Sequence, residues 1–394
     1  MTHTLELKQR ANAAIDELRD EWIRISSTLH ANPEIAFQEH KSAALLCDAL
    51  EAHGLAVTRG YGGLETAFCA EAKGAGDGPT IALLAEYDAL PKLGHACGHN
   101  IIATSSIAAG VALHTVIGEL AGRVLVLGTP AEEGGGGKLI LLENSALDGI
   151  DAAMMVHPAA WTMTARTSLA SSRLTLEFTG LASHAAAAPE DGINALEAVI
   201  LTFNGVNALR LHLKPDARVH GIITHGGTAV NIIPEYAAAQ FSVRAARLAY
   251  ADEVLQRVIQ CAEAASIATG AQLKYTVKPG YKNMIPNPVM ARLFAENWQA
   301  IGVEVHDPRP NERMGSTDMG NVSQVVPSLH AYLAIAPDGT AGHSVEFREA
   351  SISPNGHEGL LKAAKGMAMT TIDLLSDPQL MRAVKQEFAA TVGN

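Results

Sequence analysis

Thr80-Ile81-Ala82-Leu83-Leu84-Ala85 is a short apolar run that leads into Glu86-Tyr87-Asp88 and then, after a turn, into Gly94-His95-Ala96-Cys97-Gly98-His99-Asn100. A run of this length, apolar on consecutive positions and bounded by polar and turn residues, suits a strand buried on both faces of a sheet. The segment from Gly94 then opens a helix-like stretch. The same pattern recurs twice: Val124 to Gly128 is followed by Glu132-Glu133, and Ala152 to Val156 by His157-Pro158. Alternation of buried strand and helix is the rhythm of an α/β domain. In such sheets ligands gather beyond the carboxyl ends of the strands, and each of these reactive clusters falls there.

Working outward, Leu5 to Leu29 reads as one amphipathic helix, and a second runs from about Glu39 to His53 after Asn32-Pro33. Between about Ser168 and Gly280 the texture changes. Leu174 to Thr179 alternates as a strand, Gly192 to His212 is helical, Val219 to Thr224 and Ala238 to Arg244 are strands, Tyr250 to Thr269 is helical, and Gln272 to Val277 is a strand. The order β-α-β-β-α-β is the split arrangement of a ferredoxin-like α+β domain. It reads as an insertion at residues 169–282 in a domain formed by 1–168 and 283–394. Beyond it, Val289 to Ile301 is helical, Leu329 to Ile335 is a strand, and a last helix runs from about Gly356 to Leu375.

The 394 residues suffice for roughly two domains with sizeable cores. Apolar residues at 48% and charged residues at 18% describe a compact globular enzyme rather than a disordered chain. A net charge of -12 without a basic run argues against nucleic acid or an anionic membrane as partner. Met1 to Trp22 mixes acidic and basic residues where a secretory signal needs an apolar core. The longest apolar run, Ile101 to Ile117, is interrupted by Thr104, Ser105, Ser106, His114 and Thr115, so it is too polar to span a bilayer. Cys47, Cys69, Cys97 and Cys261 are widely spaced, which fits a reducing cytoplasm better than a disulfide framework.

Thiolate and imidazole bind borderline-soft divalent cations well, and Cys97 and His99 are close enough in sequence to reach one ion or a neighbouring pair. A packed turn with a structural thiol is the bland alternative. Glu132 and Glu133 are adjacent, so their side chains point in different directions: one can ligate a cation while the other faces the water bound to it. A solvated pair in a glycine-rich loop would look the same, but Thr129-Pro130-Ala131 before and Gly134 to Gly137 after make a backbone able to bend closely around an ion. His157 closes a strand at the carboxyl edge, where a ligand competes with a core histidine. His343, in Ala341-Gly342-His343-Ser344, follows the strand Leu329 to Ile335 and returns toward that edge. Five ligands exceed the need of one tetrahedral zinc, so two ions sharing a ligand is the natural reading.

Leu84 to Pro91 with His95 to Asn100, Gly128-Thr129-Pro130-Ala131-Glu132-Glu133-Gly134-Gly135-Gly136, and Val230-Asn231-Ile232-Ile233-Pro234 together resemble the aminoacylase and carboxypeptidase superfamily of co-catalytic metallopeptidases. Within it they are similar to the amidohydrolase branch, which includes aminobenzoyl-glutamate hydrolases, auxin-conjugate hydrolases and a dipeptidase acting on peptides with basic C-terminal residues. Gly315-Ser316-Thr317-Asp318 and Asn321-Val322-Ser323 resemble the dipeptidase-like subgroup. The resemblance implies a mixed-sheet, zinc-peptidase-like catalytic domain whose inserted domain is a lid and dimerisation module, hence a homodimer or higher homo-oligomer. It implies Cys97, His99, Glu133, His157 and His343 as ligands, Glu132 as general base, and His184 in Ala182-Ser183-His184-Ala185 as an oxyanion donor. Asn231 and Arg244 would hold the substrate carboxylate, the latter through a bidentate pair. Asp88 would support a ligand histidine from behind.

Two departures stand out: Asn100 where many relatives carry aspartate, and Glu86-Tyr87-Asp88 in place of Asp-Met-Asp. Both are shared by the dipeptidase-like subgroup, and they bear on substrate and site charge more than on the chemistry. The expectation is an amidohydrolase, using two Zn2+ or Mn2+ ions, that cleaves a small-molecule amide joining an acyl or aminoacyl group to an amino acid. A xenobiotic amide as substrate, a non-catalytic metal-binding relative, and a hydrolase with Cys97 as nucleophile are the competing readings.

Overall fold

The computed structural model describes residues 2–309 and 314–392. In chain order the elements begin with helices α1 (Thr2–Glu17), α2 (Arg19–Ala31) and α3 (His40–Ala52), then strands β1 (Ala56–Arg59), β2 (Phe68–Lys73) and β3 (Gly76–Ala85). Next come α4 (His99–His114), β4 (Ala121–Gly128), α5 (Gly137–Glu143) and β5 (Ala152–Ala159). A second group follows: β6 (Ala170–Thr179), α6 (Ala195–Arg210), β7 (Arg218–His225), β8 (Tyr236–Ala245), α7 (Leu248–Thr269) and β9 (Gln272–Pro279). The chain closes with α8 (Pro288–Ala300), α9 (Met319–Val322), β10 (Ser328–Ala334), α10 (Val345–Ala350), α11 (Pro354–Ser376) and α12 (Pro378–Val392).

The chain divides into two compact units. The first comprises Met1–Arg166, Met284–Arg313 and Asn321–Asn394, and the second Thr167–Asn283 with Met314–Gly320. In the first unit six strands form one mixed sheet in the order β1-β2-β4-β3-β5-β10. β3, β4, β5 and β10 are parallel, whereas β2 runs antiparallel to β4 and to β1. Ile81 to Ala85 in β3 and Ala152 to Val156 in β5 are buried throughout, as their continuous apolar sequences require for strands covered on both faces. β2 instead alternates: Phe68, Ala70 and Ala72 are buried, while Cys69, Glu71 and Lys73 are not. α4 is buried from His99 to Leu113 and packs against α11, α1, α2 and the sheet. A helix apolar all round can stand only in such a place.

The second unit is a four-stranded antiparallel sheet in the order β7-β8-β6-β9. α6 and α7 pack together over it, around a separate core that includes Leu174, Phe178, Val199, Phe241, Val254 and Val258. Its element order is the split β-α-β-β-α-β expected from the alternating strands. Among the described residues, no helix is long and apolar enough to cross a membrane.

One local expectation is corrected, and one pair of strands was not anticipated. The N-terminal helix is broken at Leu18, although no Pro or Gly stands there and the apolar positions Leu7, Ala11, Ile15, Trp22, Ile25 and Leu29 continue across the break. The hairpin of β1 and β2, which makes the sheet mixed at one side, was not read as strands: four residues and a half-buried alternation give a weak period.

Candidate metal centre

The site is built from what lies beyond the carboxyl ends of the parallel strands. Glu86 and Asp88 follow β3, Glu132 and Glu133 follow β4, His157 is near the end of β5, and Cys97 and His99 stand at the start of α4. Gly98 makes the last placement possible. It caps α4 in the left-handed region (φ 79°), and a Cβ there would lie 2.3 Å from Pro158 Cγ, so the α4 entry and the end of β5 meet at a distance that excludes a side chain. Ala131 (φ 63°) and His343 (φ 58°) are also left-handed, a conformation uncommon outside glycine and concentrated at functional sites. The first is held by its N–H donating to Glu39 Oε1 at 2.9 Å, the second by its N–H donating to the Ala96 carbonyl at 3.0 Å.

These constraints bring five side chains together. Cys97 Sγ lies 3.4 Å from His157 Nε2, His343 Nε2 3.2 Å from Glu133 Oε1, and His99 Nε2 3.9 Å from the same oxygen. Potential ligand atoms fall into three groups, each with all atoms within 4.8 Å: Cys97, His99 and His157; Cys97, Glu133 and His343; His99, Glu132 and Glu133. Cys97 is common to the first two. His99 is buried, Cys97, Glu133 and His157 are half-buried, and His343 is exposed, so the cluster runs from the interior to the surface.

The imidazoles are oriented from behind. His99 Nδ1 lies 2.8 Å from the Asp88 carbonyl and 3.1 Å from its carboxylate, and His157 Nδ1 lies 2.6 Å from the Pro158 carbonyl. Both contacts place the proton on Nδ1 and leave the Nε2 lone pair facing the cluster. Asp88 also accepts from the Glu133 N–H at 2.9 Å, which ties the β3 and β4 loops to each other. Burial pushes the Asp88 carboxyl up, but the bond to His99 and the Glu133 and Glu132 N–H groups outweigh it and leave its pKa below the ordinary value. Burial likewise opposes the Cys97 thiolate, yet His157, His343 and His99 bring that thiol down to about 6. Bonds to Cys97 and Glu133 raise His343 to about 10.

A thiolate, carboxylates and imidazoles fit one or two divalent cations on a direct observation. His99 Nε2 is buried without a hydrogen bond, although buried polar atoms almost always make one. Sulfur, nitrogen and oxygen donors converging on such an orphaned atom are what a borderline cation satisfies.

The remaining expected residues lie elsewhere. His184, Asn231 and Arg244 belong to the second unit. There His184 bridges to Ile232, beside Asn231, whose carbonyl accepts from the Ala185 N–H at 3.0 Å. Arg244 is half-buried on β8, opposite Ser171 and Arg218. Asn100 turns its amide to Ser26 Oγ at 3.0 Å and to the Ser351 carbonyl at 3.4 Å rather than to any of the five cluster residues. Sequence reasoning passed over Lys138. It is fully buried, with Nζ 2.5 Å from Glu86 Oε1, while Glu86 Oε2 is 3.5 Å from His99 Nε2. A lysine after four glycines carries no sign of burial. His330 and Tyr332, whose rings lie 5.6 and 5.5 Å from His157, were also missed, because they read as part of an ordinary strand.

Acid, imidazole and thiol groups gathered at the carboxyl edge of a mixed sheet define the metallohydrolase class. The chain belongs to Peptidase family M20/M25/M40, whose sequence profile matches residues 82–365, and it is a hydrolase of C–N amide bonds. It is 38% identical over 397 residues to the Xaa-Arg dipeptidase of Mus musculus, covering 97% of this chain and 92% of that protein. Against a chain of the p-aminobenzoyl-glutamate hydrolase of Escherichia coli (strain K12) the identity is 29% over 458 residues, with 97% and 95% covered. In fold it matches a Bacillus subtilis protein described as a dinuclear metal binding peptidase from family M20, with a TM-score of 0.72 at 22% identity, over 92% of this chain and 99% of that one.

Proposed function

We propose that this protein is a dinuclear metal-dependent dipeptidase or N-acyl-amino-acid amidohydrolase, with Cys97, His99, Glu133, His157 and His343 holding two Zn2+ or Mn2+ ions. The observation that carries this reading is the meeting of these five residues in overlapping groups that share Cys97, with Glu132 in the group of His99 and Glu133. When bound, such ions supply Lewis acidity toward the scissile carbonyl and lower the pKa of water.

The protein's own groups do the rest. Glu132 takes the proton of the attacking water and delivers it to the leaving amine. His184 Nδ1 accepts from the N–H groups of Ala186 and Ala187 at 3.2 and 3.1 Å, so its proton is on Nε2, and that N–H holds the negative charge developing on the carbonyl oxygen. Arg244 has no ion-pair partner among the described residues, and with Asn231 it binds the carboxylate of the C-terminal amino acid. Asp88 keeps His99 in its ligating tautomer. The second unit serves as lid and dimerisation module. The four cysteines are all free, in keeping with a cytoplasmic protein.

Dipeptides ending in arginine are the first substrates to try, given the dipeptidase relative, followed by N-acyl amino acids and aminobenzoyl-glutamate. Replacing the base in Glu132→Gln is expected to lower kcat by about 10²–10⁴-fold while the metal content, read by atomic emission, stays at the wild-type level. Undiminished turnover in that variant would refute the mechanism.

A further inference from the structure

Beside the five cluster residues is a further carboxylate, that of Glu86, with a different set of contacts. Glu86 is 1% exposed and Lys138 not at all, so their 2.5 Å contact is an ion pair inside the protein. Two charges are removed from water together only at a large desolvation cost, and loss of the lysine withdraws the cation that lies 2.5 Å from Glu86 Oε1. The local backbone enforces the placement. Gly137, the residue before Lys138, is packed so closely on the preceding turn that a Cβ would lie 1.9 Å from the Pro130 carbonyl oxygen, and this draws the start of α5 against the loop that carries Glu132 and Glu133. Glu86 follows β3, two residues before Asp88. Its second oxygen, Oε2, is directed at His99 Nε2 across 3.5 Å, on the nitrogen that Asp88 leaves free for the cluster. A buried carboxylate in that position has the chemistry of a ligand.

We propose that Lys138 is a positioning residue that holds Glu86 out of the metal-ligand set: by engaging Oε1, the ammonium keeps the carboxylate as a fixed counter-charge beside His99 Nε2 instead of a further donor. The inference rests on the reading of Cys97, His99, Glu133, His157 and His343 as ligands. It separates Glu133 and Glu86, both close to His99 Nε2, by role, with Glu133 donating to the ions and Glu86 withheld from them. Lysine suits this task as a compact point charge on a flexible stem.

The test uses Co2+ as the probe, because its visible d–d bands report donor number and type, and a thiolate-to-cobalt band reports Cys97. Cobalt-loaded wild type, Glu86→Gln, Lys138→Arg, Lys138→Met and the Glu86→Gln/Lys138→Met double variant are compared. Glu86→Gln and Lys138→Arg are expected to keep the wild-type bands, since Glu86 is not a ligand in either. Lys138→Met is expected to shift the d–d bands as the released carboxylate joins the ions, and the double variant to restore them. A shift in Glu86→Gln, unshifted bands in Lys138→Met, or a shift that persists in the double variant overturns the proposal. Should Lys138→Met not fold, Lys138→Gln takes its place in the same comparison, alone and combined with Glu86→Gln. Absence of the thiolate band from the wild type is a different failure: it removes the five-residue ligand set itself, and the proposal with it.

Discussion

Burial pushes the thiols of Cys47 and Cys69 up to about 11, whereas the imidazoles around Cys97 bring its thiol down to about 6. The nucleophile toward an alkylating reagent is the thiolate. After removal of metal by a chelator, iodoacetamide at pH 7 is therefore expected to label Cys97 and spare Cys47 and Cys69. The labelling rate should climb as pH rises through about 6 and flatten above it. Loading with zinc should abolish the reaction. Peptide mass spectrometry reads all three arms, and comparable labelling of Cys47 at neutral pH would contradict the electrostatic account. At this scale the ligand types were legible in short motifs, because Cys97 with His99 and Glu132 with Glu133 are sequence neighbours whose chemistry needs no long-range information. Asn100 shows the limit. It follows His99 directly on α4, and successive helical residues point about 100° apart, so it faces Ser26 and Ser351 while its neighbour faces the cluster.

Secondary-structure elements were recognised where their burial was extreme. β3, β5 and β10 lie at the heart of the larger core, so their apolar runs are continuous and hard to misread. β1 and β2 are short and half-buried, and their pairing depends on partners distant in the chain. The join between elements is the sensitive point. Substituting Gly98→Ala forces a side chain into the left-handed region at a cost of about 1–2 kcal/mol, and its methyl would also meet Pro158. We expect a lower melting temperature together with reduced metal content, because α4 cannot then keep both His99 and its seat against β5. Thermal unfolding with metal analysis tests this, and a variant with wild-type values for both would show that the close approach is not needed.

For the whole molecule, the outstanding property is assembly. β7 is an edge strand of the second unit's sheet and leaves Ile222 and Ile223 62% and 46% exposed, an apolar edge that natural sheets normally cover or charge. A homodimer that covers it is expected to sediment at twice the chain mass of 41.3 kDa, and Ile222→Lys to sediment as the single chain. A wild-type protein that sediments at 41.3 kDa would remove the dimer from the proposed function. The sequence alone determined the family, the alternation of strand and helix, the β-α-β-β-α-β order of the second unit, and the types of side chain available for the chemistry, since these depend on local period, turn residues and motif spacing. That Cys97, Glu133, His157 and His343 converge was an expectation of the sequence; only the tertiary structure decided the distances at which they meet, that Asn100 is turned to Ser26 and Ser351, and that Lys138 is buried against Glu86. Those contacts join positions dozens to hundreds of residues apart, and they arise from how the strands order in the sheet and how closely the loops pack, which no local pattern of residues records.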